Sequence, residues 1–412
     1  MTIQEQDAAP AAPRLLQIDG LRAIAALLVV AYHYTYGFEE RFHHVTPLGV
    51  TLPFGYLGVY LFFAISGFVI FMTLDRCRQP MDFVASRFAR LFPTYWAAVA
   101  ITFVTLQLIT IPNYAVTWPQ ALANLLMVHA FFGVPDVDGV YWSLQIELLF
   151  YIWMLAIWSL GLLRHALALS YAWVGAGLAY GIVHHVFGVD VPATVPRFLL
   201  LESIPWFVIG MTAYTTLRDR RWRPAHTVLI ALCVATVATL GEAERTVAAA
   251  LSAALVLLAS RGRLPFLTVR PLVFFGALSY PLYLVHEKVG WALLLTLEPR
   301  LPSSWLAIAL TVGVSVALAA ALHYLIEDPA RRAIRDAYAR HRATRPARAQ
   351  PAETLAASPT RALFSTGFPR WAVGACATIL VFAGGSVLAG RLAASRAAAA
   401  APLQLPLQGR IP

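Results

Sequence analysis

Long apolar runs broken by short polar gaps dominate the chain. A membrane-crossing helix needs about 20 consecutive apolar residues, and such runs recur at 15–37, 54–74, 91–111, 142–163, 167–187, 197–217, 225–241, 246–260, 271–295, 304–327 and 371–390. The pattern predicts an all-α integral membrane protein with ten helices in its core and an eleventh C-terminal span. Residues 112–141 form a longer connection, with an interfacial helix expected over 120–132.

The arginines fall on one side of this alternation. Gaps after even-numbered runs hold Arg76, Arg78, Arg87 and Arg90, then Arg218, Arg220, Arg221 and Arg223, then Arg261, Arg263 and Arg270, and Arg164 joins them. Gaps after odd-numbered runs hold little beyond Arg41, Arg197, Arg245 and Arg300. Basic residues gather in cytoplasmic gaps, which predicts a cytoplasmic N-terminus. The expected organisation is a cytoplasmic tail over 1–14, a ten-span core over 15–329, a basic cytoplasmic linker over 330–370, the extra span 371–390 and an external tail over 391–412. The linker reads as helical at first and then disordered. The first apolar run follows an acidic start, Glu5 and Asp7, and is too long for a signal-peptide core, so it reads as a retained span.

Composition agrees. Of 412 residues, 59% are hydrophobic and 13% charged, whereas soluble domains carry about 25% charged residues. This excludes a disordered chain, a disulfide scaffold and an ordinary soluble enzyme. The net charge of +10 does not indicate nucleic acid, because it sits in the gaps between apolar runs. Cys77, Cys233 and Cys376 lie far apart, without metal-ligand spacing, so no metal and no structural disulfide are expected.

Ionisable side chains inside the spans cost about 2.5–3.5 kcal/mol each on insertion scales and are therefore functional candidates. In LLQIDGLRAIAALLVVAYHY, Arg22 and His33 are 11 residues apart, which places them on one helix face about 16 Å apart along the axis. Asp19 lies near the same stripe. Each has a plainer reading as well: Arg22 as a snorkelling topology anchor, His33 as an interfacial histidine. Ser66 and Gly67 in the second span read as a packing pair. Arg87 and Arg90 lie one turn apart just before Pro93, where the third span is expected to begin; guanidinium pairs suit phosphate, though topology alone also accounts for them. In YWSLQIELLFYIW, Ser143, Glu147 and Tyr151 share a face. In LSYPLYLVHEKVGW, His286, Glu287 and Lys288 are consecutive and so are not expected to share one. Glu327 and Asp328 in HYLIEDPARR are expected to pair with arginines and to set a helix boundary before Pro329.

An inner layer of Asp19, Arg22, Arg87 and Arg90 is cationic enough for a nucleotide phosphate. An outer layer holds His33, Glu147 and His286. A ligand arm of about 15–20 Å would join them, about the reach of the pantetheine arm of coenzyme A.

IDGLRAIAALLVVAYHY, FFAISGF, SRFARLFPTYW, YWSLQIELLFY, LSYPLYLVHE and HYLIEDPARR, in that order over 15–332, resemble the membrane-bound acyltransferase family 3, the multi-pass bacterial O-acyltransferases. The resemblance implies a ten-helix core in the bacterial inner membrane and transfer of an acyl group other than an amino-acyl group. The donor would be cytoplasmic acyl-CoA, acetyl-CoA first among the choices, and the acceptor a hydroxyl, commonly on a carbohydrate or lipid-linked glycan. Carried over, Arg22 and His33 match the family's essential pair, Arg87 and Arg90 its second basic motif, and Glu147 its fourth-span acidic position. The resulting expectation has Arg22, Arg87 and Arg90, with Asp19, at the donor. His33 is the general base and Glu147 orients or charges it. Tyr141, Trp142, Ser143 and His286 are the candidate acceptor or oxyanion contacts. Direct transfer and an acyl-His33 intermediate both fit.

The acceptor class stays open: lipopolysaccharide O-antigen, exopolysaccharide, signalling oligosaccharide, macrolide or peptidoglycan sugar. Some members carry an external SGNH-type hydrolase domain after the eleventh span. Here a tail of about 22 residues follows, so a separate outer protein would have to relay the acyl group if a relay operates. A transporter of an acylated or anionic substrate and a non-catalytic scaffold are the rivals. The absence of paired broken spans argues against the first and the costly buried charges against the second.

Overall fold

A computed structural model describes residues 15–241 and 243–343. The expected N-terminal tail 1–14, most of the linker, the eleventh span 371–390 and the tail 391–412 lie outside the described residues.

Among the described residues every regular element is helical. Helix α1 (Leu16–Tyr34) turns at Thr35 into the short α2 (Tyr36–Phe42). Next come α3 (Gly58–Arg76), α4 (Pro80–Leu108), the short α5 (Trp118–Asn124) and α6 (Tyr141–Ser159). Then follow α7 (Ala166–Gly181), the brief α8 (Thr194–Phe198), α9 (Ile204–Arg218), α10 (Pro224–Leu240) and α11 (Ala243–Ser260). The last four are α12 (Arg270–Val285), α13 (Glu287–Leu297), α14 (Ser304–Leu322) and α15 (Asp328–Ala343). Seven helical stretches are long and apolar enough to cross a membrane, and α10 and α12 are shorter apolar helices.

Two tight helix pairs set the frame: α3 packs along α9, and α1 along α12. Glycine makes both possible, because small residues let helix backbones approach closely. A Cβ on Gly67 of α3 would fall on the Phe207 backbone, and one on Gly210 of α9 on that of Ala64. Gly276 of α12 lies likewise against the Asp19 backbone of α1. Helix α9 is apolar nearly all round and nearly all buried, enclosed by α3, α7, α10 and α11, as an all-round hydrophobic helix should be.

Three boundaries differ from the sequence expectation. Helix α4 starts at Pro80, where Asp82 accepts from the backbone N–H groups of Arg78 and Gln79, and it runs on through Pro93. Arg87 and Arg90 are therefore inside the helix and not in a gap before it. The ninth span is divided at His286 into α12 and α13. No helix end precedes Pro329. A π-turn, His323–Glu327, leads directly into α15, where Pro329 occupies the first turn, the place at which a missing N–H is harmless.

Candidate active site

The α1–α12 pairing places the α1 face carrying Arg22 and His33 beside Tyr280, Tyr283 and His286. A cavity lies among α1, α3, α4, α6 and α12. Arg22, Arg87 and Arg90 line it together with Ser66, Ser143, Glu147, Tyr151 and Tyr283. The arginines come from the two helices the sequence singles out, and the fold brings them to one wall. The Arg87 guanidinium sits 6.0 Å over the Tyr151 ring. Its Nε is buried without a hydrogen-bond partner, a donor that a phosphate oxygen would satisfy. Asp19 pairs with Arg22 at 3.4 Å.

The His33 cluster lies behind Tyr283, which lines this cavity. Tyr283 shares a 2.6 Å hydrogen bond with Ser143, and its ring lies 5.7 Å from that of His286. A backbone carbonyl can only accept, so the Val29 oxygen 2.9 Å from His33 Nδ1 places the proton on that nitrogen. The Tyr283 carbonyl, 2.8 Å from His286 Nδ1, does the same for His286. His286 Nε2 is then a lone pair, and it accepts from His33 Nδ1 at 3.1 Å. His33 Nε2 is left unprotonated in the neutral ring, 3.6 Å from Glu287 Oε2. This is the tautomer a general base requires, with a carboxylate beside the nitrogen that takes up charge.

Glu287 is held in turn. Lys288 Nζ donates to its other oxygen at 2.8 Å and lies 3.5 Å and 4.0 Å from the ring centroids of Tyr114 and Trp291, a cation–π enclosure. Gly139 admits the Glu287 carboxylate; a Cβ there would strike it. Buried Asp138 accepts from the Lys288 N–H at 3.2 Å, and full burial, with the Glu287 charge nearby, pushes its carboxyl well above the usual range. Tyr34 donates to the His286 carbonyl at 2.8 Å and bonds Ser315 at 2.7 Å, tying α1, the α12–α13 break and α14 together.

The expected partnership of Glu147 with His33 is corrected. Glu147 Oε1 accepts from Ser66 and Tyr151, each at 2.6 Å, on the cavity wall with the arginines. The carboxylate beside His33 is Glu287. Ser66 is thus a hydrogen-bond donor as well as a packing residue. Of the acceptor or oxyanion candidates, Ser143 faces the cavity. Tyr141 is buried with its hydroxyl on the Leu284 carbonyl, and Trp142 lines a different cleft with Glu202 and Arg197. His286 is fully buried behind His33. Helical periodicity leaves Glu287 and Lys288 out of the site, yet the sequence carries a signal for them: the single lysine of the chain, within an apolar run and next to a glutamate, marks a buried ion pair.

Residues 15–324 match the family described as "Acyltransferase domain". The acyltransferase MdmB of Streptomyces mycarofaciens is 27% identical over 369 residues, 78% of this chain and 93% of that protein. The exopolysaccharide production protein ExoZ of Rhizobium meliloti is 29% identical over 184 residues, 41% of this chain and 54% of its own length. The peptidoglycan O-acetyltransferase OatA of Listeria monocytogenes is 27% identical over 154 residues, 33% of this chain and 22% of that protein. The chain thus spans about half of the length of ExoZ and nearly all of MdmB. No solved structure matches.

Proposed function

Because the chain belongs to the acyltransferase 3 family, we propose that it moves an acyl group, acetyl in the first instance, from cytoplasmic acyl-CoA to a hydroxyl of a carbohydrate acceptor. The names of ExoZ and OatA support a saccharide. The arginine asymmetry supports a cytoplasmic N-terminus, and the bacterial relatives support a place in the bacterial inner (cell) membrane. One observation carries the reading: a single cavity has the three arginines in its wall together with the Ser143–Tyr283 pair that abuts the His33 cluster.

Arg22, Arg87 and Arg90 hold the donor phosphates, and the thioester reaches toward Ser143 and Tyr283. His33 Nε2 takes the proton of the acceptor hydroxyl as its oxygen attacks the thioester carbonyl. Glu287 stabilises the imidazolium so formed. Ser143 and Tyr283, whose hydroxyls donate to the Val140 carbonyl in this structure, turn to the developing oxyanion as its donors. Collapse of the tetrahedral intermediate expels the coenzyme A thiolate, which recovers the proton from the imidazolium, so the base is regenerated. An acyl group carried on His33 Nε2 uses the same geometry in two steps.

The test compares glycans by mass spectrometry from cells with the intact gene, a deletion and His33→Ala. Loss of one acyl mass in both mutants supports the reading and names acceptor and acyl group. A glycan acylated normally by His33→Ala protein that is present in the membrane overturns it.

A further inference from the structure

Glu327 closes the π-turn between α14 and α15. Turns of this kind are rare and gather at functional sites, and the inserted residue rotates the faces of α15 by about 100°. The Glu327 side chain is fully buried. It forms an ion pair with Arg90 and accepts from His323 Nδ1 at 2.8 Å. Arg90 is gripped from the other side by the Tyr280 ring, 5.3 Å from its guanidinium carbon. Arg22, Arg87 and Arg331 all act on Arg90 with like charge. A guanidinium so surrounded needs a counter-charge to stay at the cavity wall. The neighbouring carboxylate, Asp328, is engaged by Arg331 and Arg332. Helix α15 is fastened to α4 by Tyr338, which donates to Asp82 at 2.8 Å.

We propose that Glu327 is a positioning residue for the donor site: it holds Arg90 where a donor phosphate meets it. This rests on the donor-site reading above. Two effects oppose each other when Glu327 is neutralised. The site gains net positive charge, which would tighten anion binding, and Arg90 loses its anchor against three like charges, which would weaken it. Burial of the pair makes the second effect the larger, since charge placement at short range outweighs a change in overall field.

The test measures acetyl-CoA binding by calorimetry, and acetyl-CoA KM and kcat, on the purified full chain in detergent. The variants are Glu327→Gln, Glu327→Asp, Arg90→Gln and the Glu327→Gln/Arg90→Gln pair. Both single Glu327 variants are expected to bind acetyl-CoA about tenfold more weakly, the loss of one well-placed charged contact, with KM raised and kcat little changed. The double variant should bind no more weakly than Arg90→Gln, because the effect runs through Arg90. Unchanged or tighter binding in a folded Glu327→Asp or Glu327→Gln overturns the proposal, as do losses that multiply in the double variant. If Glu327→Gln does not fold, Glu327→Asp, which keeps the charge and shortens the reach, decides. Arg22→Gln serves as the control. If it binds acetyl-CoA like the wild type, the donor-site reading itself fails, and this assignment with it.

Discussion

Glu287 Oε2 faces His33 Nε2 at 3.6 Å across the contact between α1 and α13, and the side chains are only 7% and 14% exposed. The pairing joins α1 to α13 and, in the proposed mechanism, sets a carboxylate beside the nitrogen that would take up the proton. His33→Ala should lower acyl transfer by about 10²–10⁴-fold, the usual contribution of a general base. Glu287→Gln should lower kcat by about tenfold to a hundredfold with a small change in donor KM, since it removes a charge that favours the imidazolium. Glu147→Gln should act mainly on acetyl-CoA KM, because Glu147 sits with the arginines. Steady-state kinetics on the three purified variants separates these outcomes, and a Glu147→Gln variant with the kcat loss expected of Glu287→Gln would reverse the assignment.

Lys288 and Glu287 are both nearly excluded from solvent and bonded at 2.8 Å. Removing one member strands the other's charge. Lys288→Met should therefore lower unfolding stability in detergent by about 3–5 kcal/mol, whereas Lys288→Met/Glu287→Gln should recover most of that loss while remaining slow. Thermal unfolding of the pair, alongside activity, checks it; an equal loss in the single and double variants counts against the ion pair.

The α3–α9 contact depends on glycine. Gly67→Ala or Gly210→Ala drives a methyl group into the facing backbone, and overpacking of this kind costs about 1–3 kcal/mol. Gly313 of α14 has nothing within 4 Å of where a Cβ would stand, so Gly313→Ala should be neutral or stabilising by up to about 1 kcal/mol. Melting temperatures of the three variants in one detergent give the comparison.

A cytoplasmic N-terminus places Val50, 64% exposed in the loop before α3, outside the cell membrane, and Arg221, before α10, inside. With Cys77, Cys233 and Cys376 replaced by Ser, a membrane-impermeant maleimide applied to spheroplasts should label Val50→Cys and spare Arg221→Cys until the membrane is opened. The reverse pattern would invert the proposed topology.

Much of this molecule can be read along the chain because its signals are local. The apolar runs place the helices, since lipid demands a continuous helical backbone. The 11-residue spacing puts Arg22 and His33 on one face of α1, and the one-turn spacing of Arg87 and Arg90 survives intact in α4. The carboxylate partners are not local. Helical periodicity says that consecutive residues diverge, and on that ground His286, Glu287 and Lys288 do not belong together. It fails where α12 ends and α13 begins, because the periodicity of one helix does not carry across the break. Glu147 shows the same limit from the other side: its face on α6 is legible, but whether that face meets His33 or Ser66 depends on which helix α6 packs against, and it is α3. An arginine partner for Glu327 is legible too, and the π-turn decides which arginine it is. Residue spacing along one helix is set by covalent geometry, and the sequence determined that much; which helix faces which, and where a helix breaks, is set by packing among distant segments, and only the tertiary structure decided it.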